Sequence, residues 1–507
     1  MILKLVLLVV FFGIMIGVGF YSRKHTTNVN DFVLGGRAVG PWLTAFAFGT
    51  SYFSSVVFVG YAGQFGWKYG ISATWIGIGN ALIGSLLAWV VLGRRTRVMT
   101  NHLSSATMPE FFGKRFESNS LKIAASTIVF IFLIPYTASV YNGLSRLFSM
   151  AFDIPYKVCI IAMALLTGVY VIAGGYMATA INDFIQGIIM LIGIVAVVIA
   201  VLNGQGGFME AVGKLAQFES DIELTIGQPG AFTSFFGPDP VNLLSVVILT
   251  SLGTWGLPQM VHKFYTIKDE ESIKTGTIIS TAFAVIVAGG SYFLGSFVRL
   301  FDDPSVHNET GGIIYDALMP HMLSTLPDIL IGIVVVLVLS ASMSTLSALV
   351  LTSSSTLTLD MIKGTIIKDM SEKKQLSCMR LFIAFFIVLS VTIALDPPTF
   401  IAQLMGISWG ALAGAFLGPF IFGLYWRKTT KGAVWASFIV GIGITVANML
   451  FGFTSPITAG ALAMLSSLVI VPIFSLVTPK LTDESINAIF DCYTETVIVS
   501  KKKSLEP

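Results

Sequence analysis

Thirteen apolar runs of roughly membrane-spanning length recur along this chain of 507 residues. They lie near 3–21, 41–66, 71–93, 121–148, 157–174, 181–202, 242–261, 275–299, 329–359, 379–395, 398–425, 432–452 and 457–478. About 18 successive apolar residues suffice for a helical crossing. Hydrocarbon offers no partner for an amide, so a spanning segment must be a helix or part of a closed barrel. Runs of this length predict helices, and the expected fold class is an all-α integral membrane protein of about 13 transmembrane helices. With 55% hydrophobic and 11% charged residues, little is left outside the spans except two long loops and a short tail. Residues 1–480 read as one polytopic membrane domain and 481–507 as a cytoplasmic tail. The first run has Lys4 as its only preceding charge and no small-residue cleavage site, so it reads as a retained helix rather than a signal peptide.

Sidedness of charge sets the orientation. With the amino terminus outside, alternate loops place all 30 basic residues except Lys4, Lys68, Arg146, Lys157, Lys214 and Arg299 on the cytoplasmic side. Lys and Arg accumulate in cytoplasmic loops, which predicts a multi-pass plasma-membrane protein with its amino terminus outside and its carboxyl terminus inside. The outer loops, 203–241 and 300–328, then carry Glu210, Glu219, Asp221, Glu223, Asp302, Asp303, Glu309 and Asp316, read as solvated acidic faces. A net charge of +3 gives no argument for nucleic acid. Three cysteines (Cys159, Cys378, Cys492) imply no disulfide framework. All five histidines lie in loops or at span ends, so no integral metal or haem centre is expected.

Two spans are interrupted in the same way. In AFAFGTSYFSSVVFVG, 45–60, Gly49-Thr50-Ser51 and Ser54-Ser55 break an otherwise apolar run. In VVILTSLGTWGLPQM, 246–260, Thr250, Ser251, Gly253, Gly256 and Pro258 do so again. Open backbone at bilayer depth is tolerated only where it is buried or lines a cavity, and paired broken helices point to an ion or solute site between them. Small residues also serve simple helix packing, which the first segment alone does not exclude. Each break opens a set of five spans, 41–202 and 242–425. Five is odd, so the second set enters the membrane in the opposite sense, which predicts a five-plus-five inverted repeat.

Within the ninth span, Ala341 is followed by the adjacent hydroxyls of Ser344 and Thr345. A hard cation takes hydroxyl and carbonyl oxygens, and two hydroxyls with carbonyls of an unwound partner helix would form a cage. The plainer alternative is that both hydroxyls bond back to their own helix. Asp183 is the one carboxylate placed inside a span; an intramembrane acid suggests an ion path or gate, against the alternative of a helix cap shared with Asn182.

Five motifs in order carry a resemblance over nearly the full length. DFVLGGRAVG (31–40), TMPEFFGKRF (107–116), GGYMATAINDFIQG (174–187), MSTLSALVLTSSS (343–355) and LGPFIFGLYWRKTTKGA (417–433) are similar to motifs of the sodium/solute symporter family. The relatives that align best are the bacterial sodium/proline symporters. The resemblance implies the inverted-repeat transporter fold and a sodium site made of the carbonyls of Thr50, Phe53 and Ala341 with the hydroxyls of Ser344 and Thr345. It implies that Asp183 assists sodium on its way to the cytoplasm. Tyr136 and Trp255 match the family's substrate-region aromatics, and Ser51, Tyr52, Ser54 and Ser55 complete the candidate solute-binding set. Tyr52 stands where the proline symporters carry an aspartate and Val56 where they carry a tryptophan. The run SYFSSVVFVGYAGQFGWKYG (51–70) partly resembles pantothenate and monocarboxylate members.

The expected activity is sodium-coupled import of a small organic solute by alternating access, an amino acid such as proline being the first candidate. A monocarboxylate- or pantothenate-type symporter, a solute sensor or a channel are the alternatives. Partners are the solute, the co-transported sodium ion and the lipid bilayer, without nucleic acid. An enzyme would need a convergent acid–base or metal set beside Asp183. The string IKTGT (273–277) has Ile273 where a phosphorylated pump needs aspartate, and no phosphate-binding loop occurs, so ATP is not expected to drive the protein.

Overall fold

In the computed structural model, which describes residues 2–23, 28–363, 366, 367 and 369–494, the chain is almost wholly helical. Lys24, Lys368, Lys501 to Lys503 and the end of the tail lie outside the described residues. The helices used below are α1 (Ile2–Arg23), α2 (Pro41–Tyr52), α3 (residues 56–69), α4 (residues 74–102), α5 (Asn119–Phe152) and α6 (residues 156–174). They continue with α7 (Gly175–Gly204), α8 (Pro240–Gly256), α9 (Pro258–Thr266), α10 (Glu270–Gly295), α11 (Tyr315–Ser324) and α12 (Asp328–Ile362). The last four are α13 (Glu372–Leu395), α14 (Ile401–Tyr425), α15 (Lys431–Phe451) and α16 (Pro456–Val477). Among the described residues only isolated β-bridges accompany them.

Among the described residues nine helical stretches are long and apolar enough to cross a membrane, one of them running from α3 through α4 (Val56–His102), and the bent pair α8–α9 makes a tenth. Of the three further spans expected from the sequence, one lies in α1, whose apolar part is Val6–Ser22, and another in α6, at Tyr156–Val169. The third, 41–66, falls on α2 and on α3, which runs on into α4. Outward faces are apolar: Val9, Leu165, Ile192, Ile278, Leu381, Ile439 and Leu476 are all exposed. Such a continuous apolar surface suits lipid and not water. The interior is instead rich in small and hydroxylated residues, with Ser340, Ser342, Ser344, Thr345, Ser347 and Ser353 to Ser355 of α12 all buried.

Close helix crossings rest on glycine. A Cβ on Gly66 of α3 would stand 1.8 Å from the Gly295 carbonyl oxygen of α10, and one on Gly441 of α15 would stand 2.3 Å from the Gly414 backbone of α14. Small residues let backbones approach where no hydrophobic drive between helices exists. Gly175 turns the chain between α6 and α7 at φ 59°, a left-handed value open to glycine, and the Phe32 ring leaves no room there for a Cβ.

Both predicted breaks occur, each narrower than the sequence suggests. Gly49, Thr50 and Ser51 stay helical, and the chain unwinds at Phe53 and Ser54. Ser54 then starts α3, its Oγ accepting from Val56 N at 3.2 Å and its carbonyl from Phe58 N at 3.0 Å. The second break is confined to Leu257 (φ −83°, ψ 122°), where α8 and α9 meet at a 45° bend. Pro258 causes it by driving the preceding residue out of the helical region.

The ends of the two broken helices on one side of the protein are tied together. Val39 N donates to Thr266 O and Lys268 N to Val39 O, both at 3.1 Å. The Arg37 guanidinium donates to the carbonyls of Tyr265 (3.2 Å), Thr100 (3.3 Å) and Ser105 (2.5 Å). Arg97 Nε donates to Ile267 O at 2.5 Å.

Candidate ion and solute site

The last carbonyls of a helix have no amide four residues on to bind them. At the end of α2 this frees the carbonyls of Thr50 and Ser51, since the chain leaves the helix at Phe53. Their partial negative charge is the helix-dipole end that attracts cations. The free carbonyls meet the hydroxyl pair of α12. Ser344 Oγ lies 3.0 Å from both Thr50 O and Ala341 O. Thr345 Oγ1 lies 3.4 Å from the carbonyls of Thr50, Ser51 and Phe53, and 3.1 Å from Ala341 O. All of these residues are buried. The five residues singled out in the sequence therefore converge, and the Ser51 carbonyl, not foreseen, joins them. Each hydroxyl does bond back to Ala341, as the plainer reading expects, and also reaches across to α2. Six uncharged oxygens on two helices, drawn slightly inward, would suit a small hard monovalent cation. The Thr50 hydroxyl is not among them: it donates to Phe46 O at 2.8 Å.

Beside this cluster the candidate solute residues divide. Tyr52 Oη donates to Thr250 O at 2.7 Å, joining the first broken helix to the second. Its ring stacks on Trp409 of α14 at 6.2 Å, and the Tyr136 ring meets the other side of the set edge-on at 5.8 Å from Trp409. The Tyr136 hydroxyl makes no well-formed hydrogen bond, with Ser54 and Trp409 as its nearest polar neighbours. Ser51 Oγ is buried without a hydrogen-bond partner, whereas Ser55 Oγ is used on Val140 O at 2.9 Å. Trp255 does not join this group by any ring contact; its Nε1 donates to Ile83 O at 3.0 Å on α4. Sequence reasoning missed Trp409, which packs against the bare backbone of Gly253, and Asn80, which accepts from Ser251 Oγ at 3.2 Å. A lone aromatic or amide in an apolar span leaves no periodic signal.

Asp183 is buried eight residues into α7, so it is not a cap. Lys263 Nζ of α9 lies 3.8 Å from Asp183 Oδ2, both side chains nearly free of solvent, and 5.2 Å above the Tyr176 ring. The sequence reading had placed Lys263 in a cytoplasmic loop; the bend at Leu257 carries it inside instead. Asn182, next to Asp183, faces α1 and donates to Met15 O at 3.5 Å. A second carboxylate, Asp360, is buried at the end of α12 and accepts from Thr107 Oγ1 at 2.6 Å.

The sodium:solute symporter family matches residues 32–441. The osmoregulated proline transporter OpuE of Bacillus subtilis is 29% identical over 439 residues, 85% of this chain and 86% of its own. Sodium/proline symporter 2 of Staphylococcus saprophyticus is 30% identical over 452 residues, 87% of this chain and 85% of its own. Among solved structures, a substrate-bound, outward-open sodium-coupled sialic acid symporter matches with a TM-score of 0.75 at 18% identity, covering 95% of this chain and 99% of that one. A nucleobase-cation-symport-1 family transporter matches with a TM-score of 0.53 at 12% identity. At these identities the structural matches show the fold alone. With four-fifths of its length inside the family match, the chain belongs to the sodium:solute symporter family, whose members move a solute together with sodium.

Proposed function

We propose that this protein imports a small zwitterionic amino acid, proline being the first candidate, coupled to sodium entering at the cluster of Thr50, Phe53, Ala341, Ser344 and Thr345. The observation that carries the reading is the meeting of both α12 hydroxyls with the freed carbonyls of α2 at 3.0–3.4 Å. The sialic acid symporter shares the fold at 18% identity, whereas both proline relatives reach 29% and 30% over most of their length. Solute would rest among Ser51, Tyr52, Ser54, Ser55, Tyr136 and Trp409, with Trp255 behind it on α8. Asp183 and Lys263 would act in gating on the side where Arg37 ties the broken helices.

The driving force suffices. One charge moving through about 100 mV contributes roughly 2.3 kcal/mol, and a tenfold sodium gradient adds about 1.4. Together they sustain roughly 500-fold accumulation at one-to-one coupling. We further propose that the amino terminus faces outward and the carboxyl terminus the cytoplasm, as the distribution of basic residues supports. Purified protein in proteoliposomes, given an inward sodium gradient and a panel of labelled proline, other amino acids, lactate and pantothenate, tests the assignment. Sodium-dependent accumulation of proline above the rest is expected; accumulation of a monocarboxylate instead would transfer the protein to that branch.

A further inference from the structure

Past its last span the chain folds back onto the protein. A short helix, α17 (Asp483–Phe490), is followed by one further turn at Asp491–Tyr493. Ile486, Ile489, Phe490 and Cys492 are all buried, so one face of this segment is packed. A helix of eight residues does not hold itself in water. What holds this one is the surface beneath it.

That surface belongs to two elements, the end of α4 and the turn between α14 and α15. On the α4 side, His102 Nε2 donates to Ala488 O at 2.9 Å. On the other side, Arg427 Nη1 donates to Asn487 Oδ1 at 3.0 Å. The Tyr493 hydroxyl is shared between them, 3.2 Å from both Arg95 O and Leu424 O. Three arginines complete the seat. Arg95 lies between the rings of Tyr425 and Tyr493, 4.2 and 4.5 Å from their centres. Arg115 and Arg427 lie 4.9 and 5.4 Å from the centre of the Phe490 ring, and the buried Arg115 also donates to Gly423 O at 2.9 Å. Guanidinium–ring contacts strengthen as they are withdrawn from water.

The end of α4 also anchors the tie between the broken helices. Arg97 donates to Ile267 O and Arg37 to Thr100 O, so the anchoring residues lie between Arg95 and His102. α14 is packed instead on α15 and α16, where its Gly414 meets Gly441 and Ala463. We infer that α17 is an intramolecular clamp, holding the anchoring end of α4 to α14 and so favouring closure of the cytoplasmic side. The clamp presupposes the alternating-access transporter proposed above, with its carboxyl terminus inside. When the inner ends of the broken helices part, the end of α4 that carries their tie shifts against α14, and α17 loses one seat or the other. Its docking contacts then stabilise the closed state and not the inward-open one, which is what shifts an equilibrium between two states.

The test reads opening and undocking separately in the full-length chain. Thr179 is buried behind the tie, one turn before Asp183, and its Oγ1 donates to the carbonyl of Tyr176, whose own hydroxyl meets Thr266 of α9. Thr179→Cys therefore reports inner opening, while the native, buried Cys492 reports release of α17. Labelling of each by an impermeant maleimide is followed by mass spectrometry of peptides, in inside-out and right-side-out vesicles. Asn487→Ala, on the exposed face of α17, Tyr493→Phe, which keeps the ring over Arg95, and Tyr493→Ala are each combined with Thr179→Cys. In inside-out vesicles both sites should label on the order of fivefold faster in Tyr493→Ala, with smaller parallel rises in the other two. Faster labelling of Cys492 with none at Thr179→Cys would show a helix that frays without holding anything, and would overturn the clamp. No change at either site while sodium-driven uptake persists would overturn it and leave the transport reading standing. Labelling of Thr179→Cys in right-side-out vesicles alone would overturn the orientation, and with it a clamp on the cytoplasmic side.

Discussion

The proposed sodium cluster joins residues almost three hundred positions apart, and each atom in it has a distinct expected weight. Ser344→Ala and Thr345→Ala each delete one oxygen, and each should raise the sodium concentration for half-maximal uptake roughly tenfold, the equivalent of about 1.4 kcal/mol. Thr345→Ser should be mild, because its hydroxyl survives. Thr50→Ala should also be mild, since the Thr50 side chain bonds only Phe46 O and the carbonyl stays. Sodium-dependent proline binding by the purified variants measures this, and equal sodium affinity in wild type and the double alanine variant would reduce the hydroxyls to back-bonds. The Asp183–Lys263 pair makes a second expectation. Removing one partner of a buried ion pair strands the other charge, at a cost of about 3–5 kcal/mol. Lys263→Met alone should therefore melt several degrees lower than Lys263→Met/Asp183→Asn, a reversal that thermal unfolding in detergent detects. Ser344 and Thr345 were legible because two adjacent hydroxyls stand out in an apolar run. Lys263 was not, because its place inside the protein depends on a bend, and a lysine at the end of an apolar run looks like a loop residue.

At the level of helices, the expected spans correspond to helical stretches, while their breaks came out shorter than the Ser, Thr and Gly content suggested. Hydroxyls such as Thr50 and Thr250 bond to the carbonyl four residues back and remain within the helix, at 2.8 and 2.9 Å. Only where proline or a serine cap enforces extended backbone does the chain open. Composition thus marked the segment, and the local hydrogen bonding decided the residue. Glycine had a second role that the sequence did not disclose, because a crossing point depends on which faces meet. Gly66→Val would force a side chain into the Gly295 carbonyl, and the yield of monodisperse protein after extraction should collapse. Gly443→Ala on α15, with nothing within 4 Å of a new Cβ, should be neutral or slightly stabilising. Size-exclusion profiles of the two variants separate packing from a general intolerance of glycine substitution.

For the whole molecule, orientation is the expectation most directly open to experiment. A reporter fused after Leu505 should lie in the cytoplasm, and a cysteine replacing Gly206 should react with an impermeant maleimide added outside intact cells. Labelling of that cysteine only from inside would invert the topology and with it the direction of transport. On the proposed inner side, Arg37 and Arg97 tie the broken helices through the carbonyls of Thr100, Ser105, Tyr265 and Ile267 and through the Thr100 hydroxyl. The latch itself is made of guanidinium hydrogen bonds to neutral oxygens, while the carboxylates of Glu110 and Asp269 act on Arg37 and Arg97 through their charge. Those hydrogen bonds carry no acid of their own, so most of the grip should outlast a change in ionic strength. A cell whose internal ion content changes would then keep much of this hold, and the timing of its release would fall to the cargo.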